Sequence, residues 1–207
     1  MFLNLTIYRR LHRKPTWGTC AGLILLAESA NRTKQGGQDL IGGLDVRVNR
    51  NHFGRQTESF VTPLELPFLS ASSTTTGETR SPFPGIFIRA PVVETVLPSV
   101  EGEQKDEQGP DTVIAPSRAV QEPSAKQVMT KEVSVLATLP GKVKAADSML
   151  SEGKAESDAG KIVAVQQGNV FATSFHPELT GDSRIHEWWL KQLGSLGQAQ
   201  RVEQVML

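Results

Sequence analysis

A cysteine and a histidine in this sequence are placed so that they could do covalent chemistry together. Cys20 is the only cysteine among 207 residues. It stands in Gly18-Thr19-Cys20-Ala21-Gly22, with a glycine two places to either side, and the apolar run Leu23-Ile24-Leu25-Leu26-Ala27 follows directly. That is the pattern of a nucleophile elbow: a strand, a sharp turn carrying the nucleophile, then a helix. Such a turn is strained and its neighbours must pack close, which small residues allow. Cysteine there lies at a helix N-terminus, where the dipole and free N–H groups favour the thiolate. The complementary half lies far along the chain, in Ser174-Phe175-His176-Pro177-Glu178-Leu179. His176 offers a base, and Glu178, two residues later, a carboxylate to orient it. A lone cysteine is ordinarily a small buried hydrophobe, and a surface histidine beside a proline is common. The two elements together point to a cysteine hydrolase.

The surrounding elements must bring these residues to one place. Thr16-Trp17-Gly18-Thr19 reads as the end of a buried strand, and Ala21 to about Ala30 as a helix with Asn31 as its stop. Gly36-Gly37 marks a loop. Leu44, Val46 and Val48 alternate with Asp45, Arg47 and Asn49, which predicts a half-buried strand. Phe83 to Ile88 is a second strand, ended by Pro91, and Val92 to Leu97 a third. Residues 161–165 and 169–173 flank Gln166-Gln167-Gly168 as a hairpin. A last helix starts near Asp182-Ser183, and Ile185, Trp188, Trp189 and Leu193 form its apolar stripe, read as core packing. Two stretches read as loops that grew. Residues 70–77 are polar and low in complexity. Residues 100–132 are rich in Glu, Gln, Lys, Pro and Ser, too polar to offset their ordering entropy by burial. Val133 to Leu139 returns to strand character, and 141–160 is polar again. Residues 100–160 are therefore expected to be a largely polar, flexible insertion containing one strand, within a single domain spanning 1–207. Its charges read as a solvated face.

Lys plus Arg and Asp plus Glu number 22 each, so no net charge steers the chain to nucleic acid or an anionic membrane. One cysteine excludes an intrachain disulfide framework and fits a reducing, cytoplasmic setting. No apolar run approaches the roughly 20 residues of a membrane span. His12, His52 and His186 lack a Cys or carboxylate at metal-ligand spacing, so no metal site is expected. The first fourteen residues carry Arg9, Arg10, Arg13 and Lys14, with Leu3, Ile7 and Leu11 at helical spacing. They read as the remnant of a helix packed on the sheet, with a mitochondrial presequence as the alternative.

Four segments carry a family resemblance. They are Gly18 to Ala27; Val48-Asn49-Arg50-Asn51-His52-Phe53-Gly54-Arg55-Gln56; Gly85-Ile86-Phe87-Ile88-Arg89-Ala90-Pro91; and Ala164-Val165-Gln166-Gln167-Gly168 leading into Ser174 to Thr180. The chain resembles the class I (triad) glutamine amidotransferases, and among them the glutaminase subunits of pyridoxal 5'-phosphate synthase, the vitamin B6 enzyme. The Arg-Asn-x-Phe-Gly-Arg-Gln and Phe-Ile-Arg-Ala-Pro pieces set that subfamily apart. The resemblance covers about Pro15 to Leu97 and Lys161 to Leu193.

It implies an α/β fold, a flavodoxin-like three-layer arrangement around a mixed sheet. It implies hydrolysis of L-glutamine to glutamate and ammonia, with Cys20 as nucleophile, His176 as acid and base, and Glu178 orienting the imidazole. Arg50, Ile88 and Arg89 would contact glutamine. Each arginine also has a plainer reading, Arg50 in a surface ion pair and Arg89 at a strand end. Arg55 matches a motif position without a catalytic role. No cofactor is implied, and the partner is the synthase subunit in a hetero-oligomeric complex, which receives the ammonia. The family carries a Gly-Gly-Glu-Ser loop ahead of its nucleophile, which helps bind glutamine and form the oxyanion hole. This sequence shows none before Cys20. The expectation is an N-terminally truncated chain that lacks the family's first strands. Because one oxyanion donor is worth ~10²–10³ in rate, a non-catalytic form that at most binds the synthase subunit is the alternative function. A different cysteine hydrolase on a related fold would fit the elbow but not the Arg-Asn-x-Phe-Gly-Arg-Gln segment.

Overall fold

The computed structural model describes residues 14–31, 39–50, 52–53, 59–70, 81–98, 112–115, 132–140 and 160–205. The expectations for the first thirteen residues, the Gly36-Gly37 loop, Asn51, Gly54 to Gln56 and residues 71–77 lie outside them, as does most of the polar stretch between 99 and 159.

The elements in chain order are β1 (Thr16–Thr19), α1 (Ala21–Leu26), β2 (Ala27–Asn31), β3 (Leu44–Asn49), β4 (Ser59–Leu64), α2 (Pro67–Ser70), β5 (Phe83–Ile88), β6 (Val92–Val96), β7 (Thr112–Ile114), β8 (Ser134–Thr138), β9 (Ile162–Gln167), β10 (Val170–Thr173) and α3 (Arg184–Val205). A short 3₁₀ turn, Pro177–Leu179, precedes α3. The main sheet has the order β1-β10-β9-β6-β3-β2-β7, with β8 also on β9. β1 runs parallel to β10, and β2 parallel to β3; β9 is antiparallel to β10, β6 and β8. β4 and β5 form a separate antiparallel ribbon. The chain is thus α/β with a mixed sheet.

Side-chain alternation sorts the residues of β1 and β10 onto two faces. Phe171 packs in one apolar cluster with Trp17, Ile185, Trp188 and Trp189, which fastens α3 to the sheet. Val170 and Ala172 belong to the other cluster, with Leu23 and Leu26 of α1. The α3 stripe is core, as its spacing predicted: Ile185, Trp188 and Trp189 are all buried. The rings of Trp17, Phe171, Trp188 and Trp189 meet at centroid distances of 5.0–6.2 Å, within the range of favourable aromatic contact. The start of α3 is fixed by Asp182, whose Oδ1 accepts the Arg184 N–H at 3.1 Å and places a carboxylate at the positive end of the helix. No helix among the described residues is long and apolar enough to cross a membrane.

Three features depart from the sequence-based reading. The helix expected from Ala21 to about Ala30 ends at Leu26, and Ala27–Asn31 is a strand. Ala27 turns to φ −68°, ψ 146°. The Leu25 carbonyl accepts from Ile41 (2.7 Å) and Gly42 (3.2 Å), which closes the helix end. Beyond it, Ala27, Ser29 and Ala30 pair with β3, and Ser29, Ala30 and Asn31 with β7. Two ladders outweigh the intrinsic helix preference of Ala-Glu-Ser-Ala, a weak prior that tertiary pairing overrides. Asn31 serves as an acceptor, its Oδ1 taking the Arg50 N–H at 2.7 Å. The described residues between 100 and 160 include two strands where one was expected, because Thr112–Ile114 closes on β2. β4 is a further strand that the reading did not mark. Phe60, Thr62 and Leu64 turn inward in strict alternation, and Pro63 sits across from Pro84, where neither has an N–H to donate.

Candidate active site

Cys20 occupies the single residue between β1 and α1. Its backbone stands at φ 48°, ψ −102°, a left-handed φ that costs an L-residue of order 1–3 kcal/mol when the surroundings impose it. Two hydrogen bonds impose it here. The Cys20 N–H donates to the Thr173 carbonyl at 2.8 Å, continuing the parallel β1–β10 ladder into the turn. The Cys20 carbonyl accepts from Leu23 at 3.0 Å, starting α1. The chain therefore leaves the sheet and enters the helix within one residue, as the elbow pattern requires. Gly18 permits this closeness. A Cβ there would lie 2.6 Å from Leu26 Cδ1 and 2.7 Å from the Gly22 carbonyl carbon and oxygen.

His176 follows β10 by three residues. Its N–H donates to the Ile86 carbonyl at 2.8 Å. Its Nδ1 lies 2.7 Å from Glu178 Oε1. A carboxylate can only accept, so in that pair Nδ1 carries the proton, and in the neutral ring the lone pair is on Nε2. Glu178 has a side chain 47% exposed against 20% for His176. Water screens such a pair, so its main effect is to fix the ring's tautomer and direction rather than to stabilise the fold.

β5 joins the two halves. The carbonyl that holds His176 belongs to Ile86, and two residues on, the Ile88 carbonyl lies 3.9 Å from Cys20 Sγ. Residues i and i+2 of a strand direct their groups to the same side, so one strand registers nucleophile and base together. Arg89 follows β5 with φ 47° and is exposed. Burial pushes the Cys20 thiol above its ordinary value, the Ala21 N–H directed at the sulfur opposes that, the Glu178 carboxylate adds to it, and Arg89 lowers it. Cys20, His176, Glu178, Ile88 and Arg89 thus form one cluster. The rise means that the resting thiol keeps its proton, which must pass to a base before attack.

Arg50 stands elsewhere in the strand order. It follows β3, and β10, β9 and β6 lie between β1 and β3. It is largely buried, and desolvation lowers its pKa. Arg55 lies outside the described residues. The sequence pattern did not reveal the main-chain groups of the site: the Ala21 N–H and the Thr173, Ile86 and Ile88 carbonyls. Every residue has an N–H or a carbonyl, so residue type carries no signal for them.

The model of the SNO glutamine amidotransferase family matches residues 2–124 and 123–195. A probable pyridoxal 5'-phosphate synthase subunit of Arabidopsis thaliana is 39% identical over 185 residues, covering 89% of this chain and 60% of its own. A pyridoxal 5'-phosphate synthase subunit of Herpetosiphon aurantiacus is 36% identical over 176 residues, covering 85% and 61%. The chain spans about three fifths of the length of these curated relatives. A crystal structure of a glutamine amidotransferase superposes with a TM-score of 0.54 at 30% identity, over 92% of this chain and 68% of that one. The α/β fold with its mixed sheet agrees with that neighbour, and the chain belongs to the SNO glutamine amidotransferase family.

Proposed function

We propose that the chain is a glutaminase that hydrolyses L-glutamine to L-glutamate and ammonia, and that the ammonia passes to a pyridoxal 5'-phosphate synthase subunit in a hetero-oligomeric complex. The observation that carries this reading is the shared registration of Cys20 and His176 by the Ile88 and Ile86 carbonyls of one strand. His176 Nε2 takes the thiol proton, and the Cys20 sulfur attacks the carboxamide carbon of glutamine. The same Nε2 gives its proton to the departing ammonia, then draws one from the water that attacks the glutamyl thioester. Glu178 holds Nδ1–H throughout and stabilises the imidazolium. The Ala21 N–H, already directed at the sulfur, supplies one oxyanion donor; the Cys20 N–H cannot, because the Thr173 carbonyl holds it.

Arg50, Ile88 and Arg89 are the glutamine contacts in this reading. For Ile88 and Arg89 the support is their place beside the sulfur; for Arg50 it is the motif Val48 to Phe53. No cofactor or metal enters the reaction. The single cysteine supports a reducing, cytoplasmic setting.

A second reading is a chain that binds the synthase subunit without turning over glutamine; burial, which raises the pKa of the thiol, is what speaks for it. Glutamate release by the purified chain together with the synthase subunit separates the two. Turnover that disappears in Cys20→Ala and in His176→Ala is the expected result. Undiminished turnover in Cys20→Ala overturns the assignment. A folded, synthase-bound chain without turnover establishes the second reading.

A further inference from the structure

We propose that Thr173 is a positioning residue that couples the nucleophile turn, through its carbonyl, to the base loop, through its hydroxyl. The inference rests on the glutaminase reading and goes beyond the triad.

Thr173 is the last residue of β10 and is fully buried. Its carbonyl accepts the Cys20 N–H at 2.8 Å. Its hydroxyl donates to the Phe175 carbonyl at 3.2 Å and accepts the Trp17 indole N–H at 3.4 Å. A hydroxyl has one proton to give and lone pairs to receive, so one Oγ1 makes both bonds. The Phe175 carbonyl belongs to the peptide that enters His176. On either side of it the chain is already fixed, by the Ser174 N–H on the Val163 carbonyl and the His176 N–H on the Ile86 carbonyl, both at 2.8 Å. The Phe175 ring is buried against Phe83 and Phe87. The Phe175–His176 peptide plane is therefore held at its N–H by β5 and at its oxygen by Thr173.

The two functions of Thr173 are separable. Any residue supplies the carbonyl that holds Cys20. Only Ser or Thr at this buried position supplies a hydroxyl that can donate to Phe175 while accepting from Trp17. A valine keeps the shape of threonine and the main-chain bond to Cys20. It removes the donor to the Phe175 carbonyl and the acceptor of the Trp17 N–H, so the peptide is held at its N–H alone and can tilt, turning the His176 ring away from the sulfur. Substrate contacts are untouched, so the loss falls on the chemical steps and not on glutamine binding.

The test compares wild type, Thr173→Val and Thr173→Ser in complex with the synthase subunit, with two readouts. The first is glutamate release. The expected result is a kcat in Thr173→Val lower by about tenfold or more, an unchanged KM, and recovery of kcat in Thr173→Ser. The second readout needs no turnover: the imidazole resonances of His176, assigned with His176→Ala. Thr173→Val should displace them and weaken the Nδ1–H signal shared with Glu178, while His52 stays in place and Thr173→Ser restores the pattern. Thr173→Ala takes the same two readouts if the valine variant does not fold. Unchanged His176 resonances, or a kcat loss that serine does not restore, overturn the proposal. If wild type itself releases no glutamate, the glutaminase reading fails, and the resonances alone still decide whether Thr173 positions His176.

Discussion

Gly18 and Gly22 flank Cys20 symmetrically in the sequence, yet substitution by alanine should have opposite effects at the two positions. At Gly18 an added Cβ would lie 2.6 Å from Leu26 Cδ1, which can swing aside, but also 2.7 Å from the carbonyl carbon and oxygen of Gly22, which are backbone and cannot. Relief requires α1 to move away from β1 by roughly half an ångström or more, against the buried contacts of Leu23 and Leu26. Overpacking of this kind costs about 1–3 kcal/mol. At Gly22 a Cβ meets nothing within 4 Å, and the residue lies inside α1 without a positive φ. Alanine there should stabilise by about 0.5–1 kcal/mol through helix propensity and a less disordered unfolded chain. The two variants should therefore differ by about 1.5–4 kcal/mol, which in a chain of this length is about 3–16 °C in Tm. Urea unfolding of wild type, Gly18→Ala and Gly22→Ala reads the energies. The alkylation rate of Cys20 by iodoacetamide reads the displacement of the turn and should change only in Gly18→Ala. Equal stability of the two variants, or a larger loss at Gly22, would refute the close-approach argument.

The left-handed φ of Cys20 predicts that Cys20→Gly is more stable than Cys20→Ala, since only glycine adopts that backbone without cost; thermal unfolding of the pair checks it, and a lower Tm for the glycine variant counts against strain at the turn. Burial raises the folded thiol's pKa above its ordinary 9.0. Between the two pKa values the folded chain holds the proton that the unfolded chain releases, so the full stability is present below the unfolded pKa and is lost as pH rises through the folded one. Urea midpoints followed from neutral to alkaline pH should fall more steeply in wild type than in Cys20→Ala, and parallel curves would refute the shift. Between β3 and β9, buried Gln167 donates from Nε2 to Asp45 Oδ2 and accepts the Asp45 N–H at Oε1, both at 2.7 Å. Gln167→Leu should cost about 1–3 kcal/mol by removing the acceptor of the buried Asp45 N–H and one donor to its side chain. Gln166→Leu, whose amide donates to Gly168 of its own hairpin, should cost under about 1 kcal/mol, so similar losses by urea unfolding in the two variants would contradict the bridge.

The sequence by itself determined the chemical identities: one cysteine between close-packing small residues, and a histidine with a carboxylate two residues on. It also determined the local elements whose patterns are written in neighbouring residues. The alternation of Leu44 to Asn49, the hairpin around Gly168 and the stripe of Ile185, Trp188, Trp189 and Leu193 all report burial or turn chemistry over a few positions. Tertiary structure alone decided where α1 stops, because Ala27–Asn31 takes its state from β3 and β7, residues far along the chain. It decided likewise that Thr112–Ile114, three residues in a polar stretch, form a strand. It decided that Gly18 and not Gly22 is the close approach. The site followed the same division. Residue types named Cys20, His176 and Glu178, but what registers them is a set of main-chain carbonyls from Thr173, Ile86 and Ile88. Carbonyls are common to every residue, so only the path of the folded backbone could single these out.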